Sequence, residues 1–216
     1  MTEHVFEPMR RAMVASQLRT TGVNDPRVIA AMGEVPRERF VPADRCALAY
    51  ADALVPLGNG RALNPPMALG RLLTEGRLTG SERALVIGAG TGYAAAVLVR
   101  LAGSVVALEE DEGLAAAAKA ALAGERVEIA TGPLAAGWPK RAPYDFILID
   151  GAVEHVPPAI VAQVADSGQV AFALADGGIT RLAVGRVVEG AFGTTVYADA
   201  AAAMLPGFER PRGFSF

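Results

Sequence analysis

Three alternating glycines follow a short apolar run in ALVIGAGTGY, residues 84–93. Glycine is needed where a backbone turns tightly or lets a ligand come close, and a helix opening at Tyr93 would point free N–H groups at that ligand. Gly88, Gly90 and Gly92 are spaced GxGxG, whereas the dinucleotide fingerprint is GxGxxG. The spacing disfavours NAD. A glycine loop alone fits either a ligand-binding turn or a tight strand-to-helix turn without a ligand.

An acidic residue stands at the end of the next apolar run. SVVAL leads into Glu109, 21 residues after Gly88, close to the spacing of about 20 residues expected for an acid that binds a ribose. Loop and acid together favour an adenosine-bearing ligand. For Glu110 and Asp111, which follow, we expect a solvated helix start.

The composition disfavours several other kinds of site. Cys46 is the sole cysteine, and with His4 and His155 it forms no cluster at metal-ligand spacing, so we expect no metal site. Twenty Lys and Arg residues against 23 Asp and Glu residues give a net charge of -3. This charge is too balanced for strong electrostatic binding to the phosphates of a nucleic acid. Without an apolar leader or a run of about 18 apolar residues, we expect a cytoplasmic protein without membrane contact. The oligomeric state stays open.

The apolar pattern predicts the elements that hold these residues. From residue 83, short runs rich in Val, Ile and Leu alternate with Ala-rich stretches, as in RALVI, YAAAVLVRLAG, SVVAL, EGLAAAAKAALAG, RVEIA and YDFILI. Such runs suit strands buried on both faces, joined in a parallel sheet by crossover helices. After Gly168 the runs QVAFAL, ITRLAVGRVVEG and GTTVYADAAAAML leave little room for helices, which predicts an antiparallel edge.

The first 80 residues have a different pattern. MRRAMVASQLR and DPRVIAAMGEV show helical periodicity, with Asn24 or Asp25 before Pro26 as a start signal. A chain of 216 residues suits one domain, and no polar linker divides it. We therefore predict a single doubly wound α/β domain, with a helical cap over residues 1–80 and the sheet core over residues 81–216.

Four stretches resemble the protein-L-isoaspartate O-methyltransferase family, in order and over nearly the whole chain. They are MVASQLRTTGVNDPRVIAAMGEVPRERFVP, AYADALVPLGNGRALNPPMALGRLL, ALVIGAGTGYAAAVL and APYDFILIDGA. The first stretch is more specific to that family than the glycine loop, which many methyltransferases share. The resemblance implies a Rossmann-like methyltransferase fold. It also implies an S-adenosylmethionine-dependent enzyme that esterifies isoaspartyl carboxylates in damaged proteins or peptides for repair, with S-adenosylhomocysteine as product.

The chemistry of that reaction agrees with what the sequence lacks. A side-chain carboxylate has a pKa of about 4, so it is an anionic nucleophile at neutral pH and needs no general base. The enzyme must align donor and acceptor and exclude water. The absence of a Ser/His/Asp or Cys/His set therefore does not count against the resemblance.

The resemblance also implies which residues form the site. The segment from Pro56 to Pro66 matches the loop that closes over the donor and the substrate carboxylate, and Glu109 matches the ribose acid. We expect Glu109→Ala to abolish nucleoside binding with little loss of stability. Carried over position by position, the cofactor-binding residues are Gly88, Ala89, Gly90, Thr91, Gly92 and Glu109, and the substrate-loop residues are Gly60, Arg61 and Pro65.

This chain departs from the family pattern at four places. Val86 stands where the family has an acid, Ala62 and Asn64 replace two loop hydroxyls, Gly132-Pro133 replaces a Gly-Asp pair, and Asp150 replaces a Thr. Two lost cofactor contacts would weaken donor binding by roughly a hundredfold to many thousandfold. Two alternatives therefore stay open: a non-catalytic descendant that serves as a binding or structural module, and a methyltransferase for another acceptor.

Several of these residues have both a functional and a structural interpretation. Asp150 either replaces the missing acid at the methionyl amine of the cofactor or caps the turn GAVEH. Asn64 either donates an amide N–H to the acceptor carboxylate, as the candidate catalytic residue, or is a turn residue before two prolines. Arg61 either attracts an acidic substrate or is a solvated charge. Tyr50 and Tyr93 either line the cofactor pocket or belong to the core.

Overall fold

The computed structural model of the protein describes residues 5–210. Seven strands form one sheet, in the order β5-β4-β3-β6-β7-β8-β9, and β1 and β2 pair separately. The strands are β1 (Val55–Gly58), β2 (Arg61–Leu63), β3 (Arg83–Ile87), β4 (Ser104–Glu109), β5 (Val127–Thr131), β6 (Tyr144–Val153), β7 (Val164–Asp176), β8 (Ile179–Val188) and β9 (Ala191–Asp199). The helices are α1 (Glu7–Met13), α2 (Pro26–Glu34), α3 (Pro66–Gly76), α4 (Tyr93–Leu98), α5 (Glu112–Ala121) and α6 (Pro158–Val161).

The sheet is parallel from β5 to β7 and antiparallel at β8 and β9. The predicted parallel sheet with an antiparallel edge is therefore confirmed. The chain runs outward from β3 to β4 and β5 and then crosses to β6 on the other side of β3. Ligands of open α/β sheets bind where the strand order reverses in this way, at the carboxyl ends of the strands. We call this space, between the ends of β3, β4 and β6, the crevice.

Alternate residues of β3 enter two separate hydrophobic cores. Ala84 and Val86 belong to the core beneath the N-terminal helices, whereas Leu85 and Ile87 belong to the core on the opposite face. Burial of both faces explains why the run RALVI shows no alternation of polar and apolar residues. The alanines of α4 are fully buried, and their small side chains let this helix pack closely against the sheet.

The N-terminal region is helical, as predicted, with one local difference. Past α1 the chain continues as a π-helical turn over residues 14–18, so MRRAMVASQLR is not a single regular α-helix. Asp25, and not Asn24, caps α2, accepting a hydrogen bond from the backbone N–H of Arg27 at 2.8 Å. Because α3 packs on β6, β7 and β8, the N-terminal region contributes to the same core as the sheet.

Within residues 5–210 no helix is both long and apolar enough to cross a membrane. The same part of the chain has no group of three His, Cys, Asp or Glu side chains placed to hold a metal ion. Cys46 is half-buried, with Sγ 3.5 Å from the carbonyl oxygen of Glu38. His155 places Nδ1 3.2 Å from the carbonyl oxygen of Phe208. Both side chains are therefore engaged within the fold.

Candidate functional site

The glycine loop, residues 88–92, lies at the carboxyl end of β3. Its three glycines have φ values of 78°, 57° and 100°, in the left-handed region that favours glycine. A Cβ added at Gly92 would lie 2.8 Å from Leu122, so this position also excludes a side chain by packing. The loop leads directly into α4 at Tyr93. The strand-turn-helix arrangement predicted from the sequence is present.

The other two residues of the loop point into the protein. Ala89 is buried, and its backbone N–H and that of Gly88 both donate to the carbonyl oxygen of Leu108 at 3.0 Å. The Thr91 hydroxyl donates to the carbonyl oxygen of Phe40 at 2.5 Å, which ties the loop to the N-terminal region. Neither side chain offers a polar group to the crevice in this conformation.

Glu109 lies at the end of β4 and its side chain is fully buried beside the glycine loop. One carboxylate oxygen, Oε2, accepts the backbone N–H of Gly90 at 2.6 Å. The other, Oε1, accepts the backbone N–H groups of Glu110 and Asp111 at 2.9 and 3.1 Å. The tertiary structure therefore brings together the loop and the acid that the sequence identifies 21 residues apart.

Arg61 forms an ion pair with Glu109. Its Nη1 lies 2.6 Å from Glu109 Oε1, and the two side chains are 7% and 0% exposed. Arg61 is therefore not a solvated charge, and its guanidinium group faces the acid of the crevice and not bulk solvent. Its Nη2 would lie only 3.2 Å from a Cβ on Gly88, so it fills the space that this glycine leaves open.

The predicted closing loop is a β-hairpin. Strands β1 and β2 pair antiparallel, with Val55 opposite Leu63. The turn between them is Asn59-Gly60, with φ values of 50° and 73°, the positive values that two-residue hairpin turns need. We call residues 55–63 the hairpin. Pro65 follows it, buried at the start of α3.

The hairpin contacts the crevice at two further points besides Arg61. The Leu57 side chain would lie 3.2 Å from a Cβ on Gly90, so it covers the glycine loop. At the tip, Asn59 Nδ2 donates to Asp111 Oδ2 at 2.7 Å. Asp111 also caps α5, since its Oδ1 accepts the N–H of Leu114 at 2.9 Å. Asp111 thus forms the helix start predicted for it, with the hairpin tip attached.

Asn64 and Asp150 form a second buried pair. Asn64 is 4% exposed, and its Nδ2 lies 2.9 Å from both Oδ1 and the backbone oxygen of Asp150. Its Oδ1 accepts the backbone N–H of Ala203 at 2.8 Å. Asn64 therefore donates its amide N–H to a carboxylate, as the functional interpretation expects. That carboxylate, however, is the side chain of Asp150 and not an acceptor substrate.

Asp150 does not cap a helix. It lies inside β6, which continues to Val153, and the next helix begins only at Pro158. Burial raises the pKa of the Asp150 carboxyl, and the nearby charge of Glu109 adds to the rise. The hydrogen bond from Asn64 and the charges of two buried arginines oppose it.

A C-terminal segment fills the other side of the crevice. This segment, residues 203–205, lies against the end of β6 and exchanges two backbone hydrogen bonds with Ala152, at 2.7 and 3.0 Å. The buried Leu205 side chain would lie 2.6 Å from a Cβ on Gly151 and 3.0 Å from one on Gly88. The sequence alone does not predict this contact, and only the small Gly151 after Asp150 signals a close approach.

Arg37, in the run VPRERF, is a buried cation that no pattern in the sequence marks as such. Its Nε donates to the carbonyl oxygen of Ala49 at 2.5 Å, and Nη2 donates to that of Asn64. Its guanidinium lies 4.6 Å from the centre of the Tyr93 ring. Burial lowers the pKa of Arg37 and raises that of Tyr93. Arg37, Tyr93 and the equally buried Tyr50 thus belong to the core beneath the crevice.

Two departures from the family pattern leave positions without a side-chain acceptor. Val86 is fully buried, between Ala107 and Leu148 in the sheet. Pro133 precedes a short 3-10 turn, whose first N–H, that of Leu134, donates to Glu110 at 3.2 Å. Neither position can supply the carboxylate that the resemblance implies there.

Comparison with known proteins identifies the family of the chain. A sequence model of the protein-L-isoaspartate(D-aspartate) O-methyltransferase family matches residues 9–185. The protein-L-isoaspartate O-methyltransferase 1 of Rhodopseudomonas palustris (strain HaA2) is 42% identical over 168 residues, which cover 76% of this chain and 69% of that protein. The Methanoregula boonei enzyme of the same name is 42% identical over 164 residues, covering 74% and 76% of the two chains.

Two solved structures share the fold over most of this chain. One protein-L-isoaspartate O-methyltransferase superposes with a TM-score of 0.79 at 23% identity, over 92% of this chain and 66% of that one. A Plasmodium falciparum protein assigned to the same family, solved in complex with S-adenosyl-L-homocysteine, superposes with a TM-score of 0.73 at 16% identity, over 90% and 96% of the two chains. The predicted methyltransferase-type sandwich is therefore confirmed.

Proposed function

Because the chain belongs to the protein-L-isoaspartate(D-aspartate) O-methyltransferase family, we propose that it is an S-adenosylmethionine-dependent methyltransferase that esterifies isoaspartyl carboxylates in damaged proteins or peptides. One observation carries this proposal beyond family membership. The buried carboxylate of Glu109 lies 2.6 Å from the backbone N–H of Gly90 at the point where the strand order reverses. An acid and a glycine loop in this position suit the adenosine end of the cofactor.

The chemistry of the acceptor places few demands on the protein. An isoaspartyl carboxylate is ionised at neutral pH, so the site needs to position it and exclude water, without a general base. The buried Asn64 and Arg37 lie beside the crevice and fix the backbone where the hairpin enters α3. We assign them to positioning this segment against the acceptor.

The described conformation does not fit the cofactor. Both oxygens of Glu109 are engaged by Arg61 and by three backbone N–H groups. The space above Gly88 is taken by Arg61 and Leu205, and the space above Gly90 by Leu57. Cofactor binding therefore requires the hairpin, the C-terminal segment or both to withdraw from the crevice.

The closed crevice also favours a second candidate function. In a closed crevice, the groups that would bind the ligand are hydrogen-bonded to the protein's own side chains. Such a family member can serve as a scaffold that binds or stabilises other proteins without turnover. Val86 and Pro133, which remove two acidic positions of the family, support this alternative.

Two measurements decide between the candidates. We expect S-adenosylhomocysteine to give measurable heat in calorimetry, and the protein to form a base-labile methyl ester on an isoaspartyl peptide but not on its aspartyl twin. Absence of heat at millimolar ligand would leave the scaffold function. Ligand binding without ester on the isoaspartyl peptide would indicate another acceptor or an inactive enzyme.

A further inference from the structure

We propose that Arg61 sets the cofactor affinity of this chain by competing with the cofactor ribose for Glu109. The inference rests on the proposed function, in which Glu109 is the ribose acid. It concerns a residue of the hairpin that forms a buried ion pair across the crevice at 2.6 Å. Arg61 thus determines the affinity for the cofactor, because its ion pair with Glu109 keeps the crevice closed until the hairpin moves away.

The hydrogen bonds of Glu109 show why the competition is direct. An ionised carboxylate has about four acceptor sites, and Glu109 already accepts four hydrogen bonds, from Arg61 and from three backbone N–H groups. Three of these bonds, including the one from Arg61, are to Oε1, and Oε2 accepts one, so a ribose hydroxyl can bond to Oε1 only after one donor leaves. The three N–H groups are fixed in the backbone of the loop and of the β4–α5 connection. Arg61 is the donor that can leave, since it lies on the hairpin.

The hairpin is not hydrogen-bonded into the seven-stranded sheet. Two strands of four and three residues are marginal on their own, so side-chain contacts hold the hairpin against the sheet. Val55 and Leu63 anchor the base of the hairpin in the hydrophobic core. The rest of the hairpin is held by the Arg61 ion pair, the Leu57 contact with Gly90 and the hydrogen bond from Asn59 to Asp111. The last contact is exposed at the tip of the hairpin and lies outside the crevice.

Opening of the hairpin does not leave a buried charge without a partner. When Arg61 leaves, its guanidinium regains water, and Glu109 keeps its hydrogen bonds from three backbone N–H groups. The closed and open states can therefore differ by a modest free energy. A ligand that binds only the open state has its apparent affinity reduced by the fraction of molecules that are open, and removal of Arg61 raises that fraction.

The test is calorimetric titration of the full chain with S-adenosylhomocysteine. Arg61→Gln keeps a polar side chain but removes the charge, and we expect it to bind about tenfold more tightly than the unmodified protein, following the open fraction. Arg61→Lys, which keeps the charge, should bind much as the unmodified protein does. Arg83→Gln is the matched control, because Arg83 forms an exposed pair with Asp145 at the opposite end of β3.

A second variant protects the test against misfolding of Arg61→Gln, which circular dichroism would reveal. Asn59→Gly removes the tip contact, and glycine tolerates the φ of 50° at this position. It should also tighten binding, by less than Arg61→Gln does. Equal or weaker binding by both variants overturns the competition.

The proposed function can stand when the competition fails. If the unmodified protein binds S-adenosylhomocysteine and methylates the isoaspartyl peptide while Arg61→Gln binds no more tightly, the enzyme assignment holds and only the role of Arg61 is wrong. If none of the variants binds ligand and no ester forms, both proposals fail. Binding gained by Arg61→Gln without ester formation supports the competition and removes the isoaspartyl activity.

Discussion

At the scale of single residues, Glu109 has two roles that the sequence does not separate. It is the expected ligand of a ribose, and it is also the only carboxylate within hydrogen-bonding distance of the buried Arg61 among the described residues. A buried cation without its partner is costly. The structure therefore makes Glu109 a determinant of stability as well as of binding.

The first prediction concerns stability at Glu109. From the sequence, Glu109→Ala costs little stability; from the structure we expect a loss of about 1–3 kcal/mol, because three backbone N–H groups lose their acceptor and Arg61 loses its partner. Urea unfolding measures this loss. The double variant Arg61→Ala/Glu109→Ala should lose less than the sum of the single variants, by about 1–3 kcal/mol. Strict additivity would show that the two side chains are not coupled.

The second prediction follows from the raised pKa of Asp150. Its folded-state pKa lies above the ordinary value of about 4, so between the two values the folded protein holds a proton that the unfolded chain releases. The Asp150 contribution to the free energy of unfolding therefore falls as pH rises from about 4 through the raised pKa. Asp150→Asn keeps an oxygen acceptor for Asn64 and removes this dependence.

Unfolding measured across the pH range tests the role of Asp150. The stability advantage of Asp150→Asn over the unmodified protein should grow as pH rises above about 4. Asp44→Asn, at a carboxylate that is 77% exposed, is the matched control and should show no such trend. A constant difference between Asp150→Asn and the unmodified protein would mean that Asp150 titrates with its ordinary pKa.

At the scale of elements, two segments pack over the crevice at the carboxyl ends of the strands. The hairpin covers the ends of β3 and β4, and residues 203–205 cover the end of β6. Each segment packs closely over a glycine, the hairpin over Gly88 and Gly90 of the loop and residues 203–205 over Gly151 of β6. The packing of these segments can be tested separately from ligand binding.

The third prediction is made at Gly151. A Cβ there would lie 2.6 Å from Leu205 and 2.8 Å from the backbone oxygen of Ala203, so Gly151→Ala should lower the free energy of unfolding by about 1–3 kcal/mol. Leu205→Ala should relieve part of this loss in the double variant, although the backbone contact persists. Gly193→Ala, with no atom within 4 Å of its added Cβ, is the control. Equal losses at both glycines would contradict the described packing.

At the scale of the whole molecule, the helical cap and one face of the sheet share one of the two hydrophobic cores. Met13, Leu18 and Met32 from the N-terminal helices lie in the same cluster as Val86 and Leu148 of the sheet. Such sharing makes unfolding cooperative, because neither half buries its apolar surface alone. The boundary near residue 80 should therefore not separate two folding units.

The fourth prediction is that residues 81–216 do not fold alone. Without the N-terminal helices, one face of the sheet loses its cover, and we expect an expanded state that binds a hydrophobic dye and lacks near-ultraviolet circular dichroism. In the full chain, fluorescence of Trp138 and far-ultraviolet circular dichroism should report one coincident unfolding transition. A fragment with dispersed amide resonances, or two separate transitions, would show that the sheet is an independent domain.

The features that could be read from the sequence are those that depend on near neighbours. The run RALVI, the glycines after it and Glu109 at the end of the next strand predict the parallel sheet and the meeting of loop and acid. These hold because strand burial, positive φ at glycine and the length of a βαβ unit are set within about 30 residues. Asp25 and Asp111 as helix caps follow from equally local rules.

The partners of the buried polar groups were decided by the tertiary structure. Arg61 meets Glu109 across 48 residues and Asn64 meets Asp150 across 86, while Leu205 lies over Gly88 from the far end of the chain. Each buried charge or amide needs a partner in the fold, but the residue type alone does not specify which one, because many side chains satisfy the same need. The sequence thus determines a methyltransferase sandwich with a crevice, and only the packing of distant segments determines that this crevice is closed.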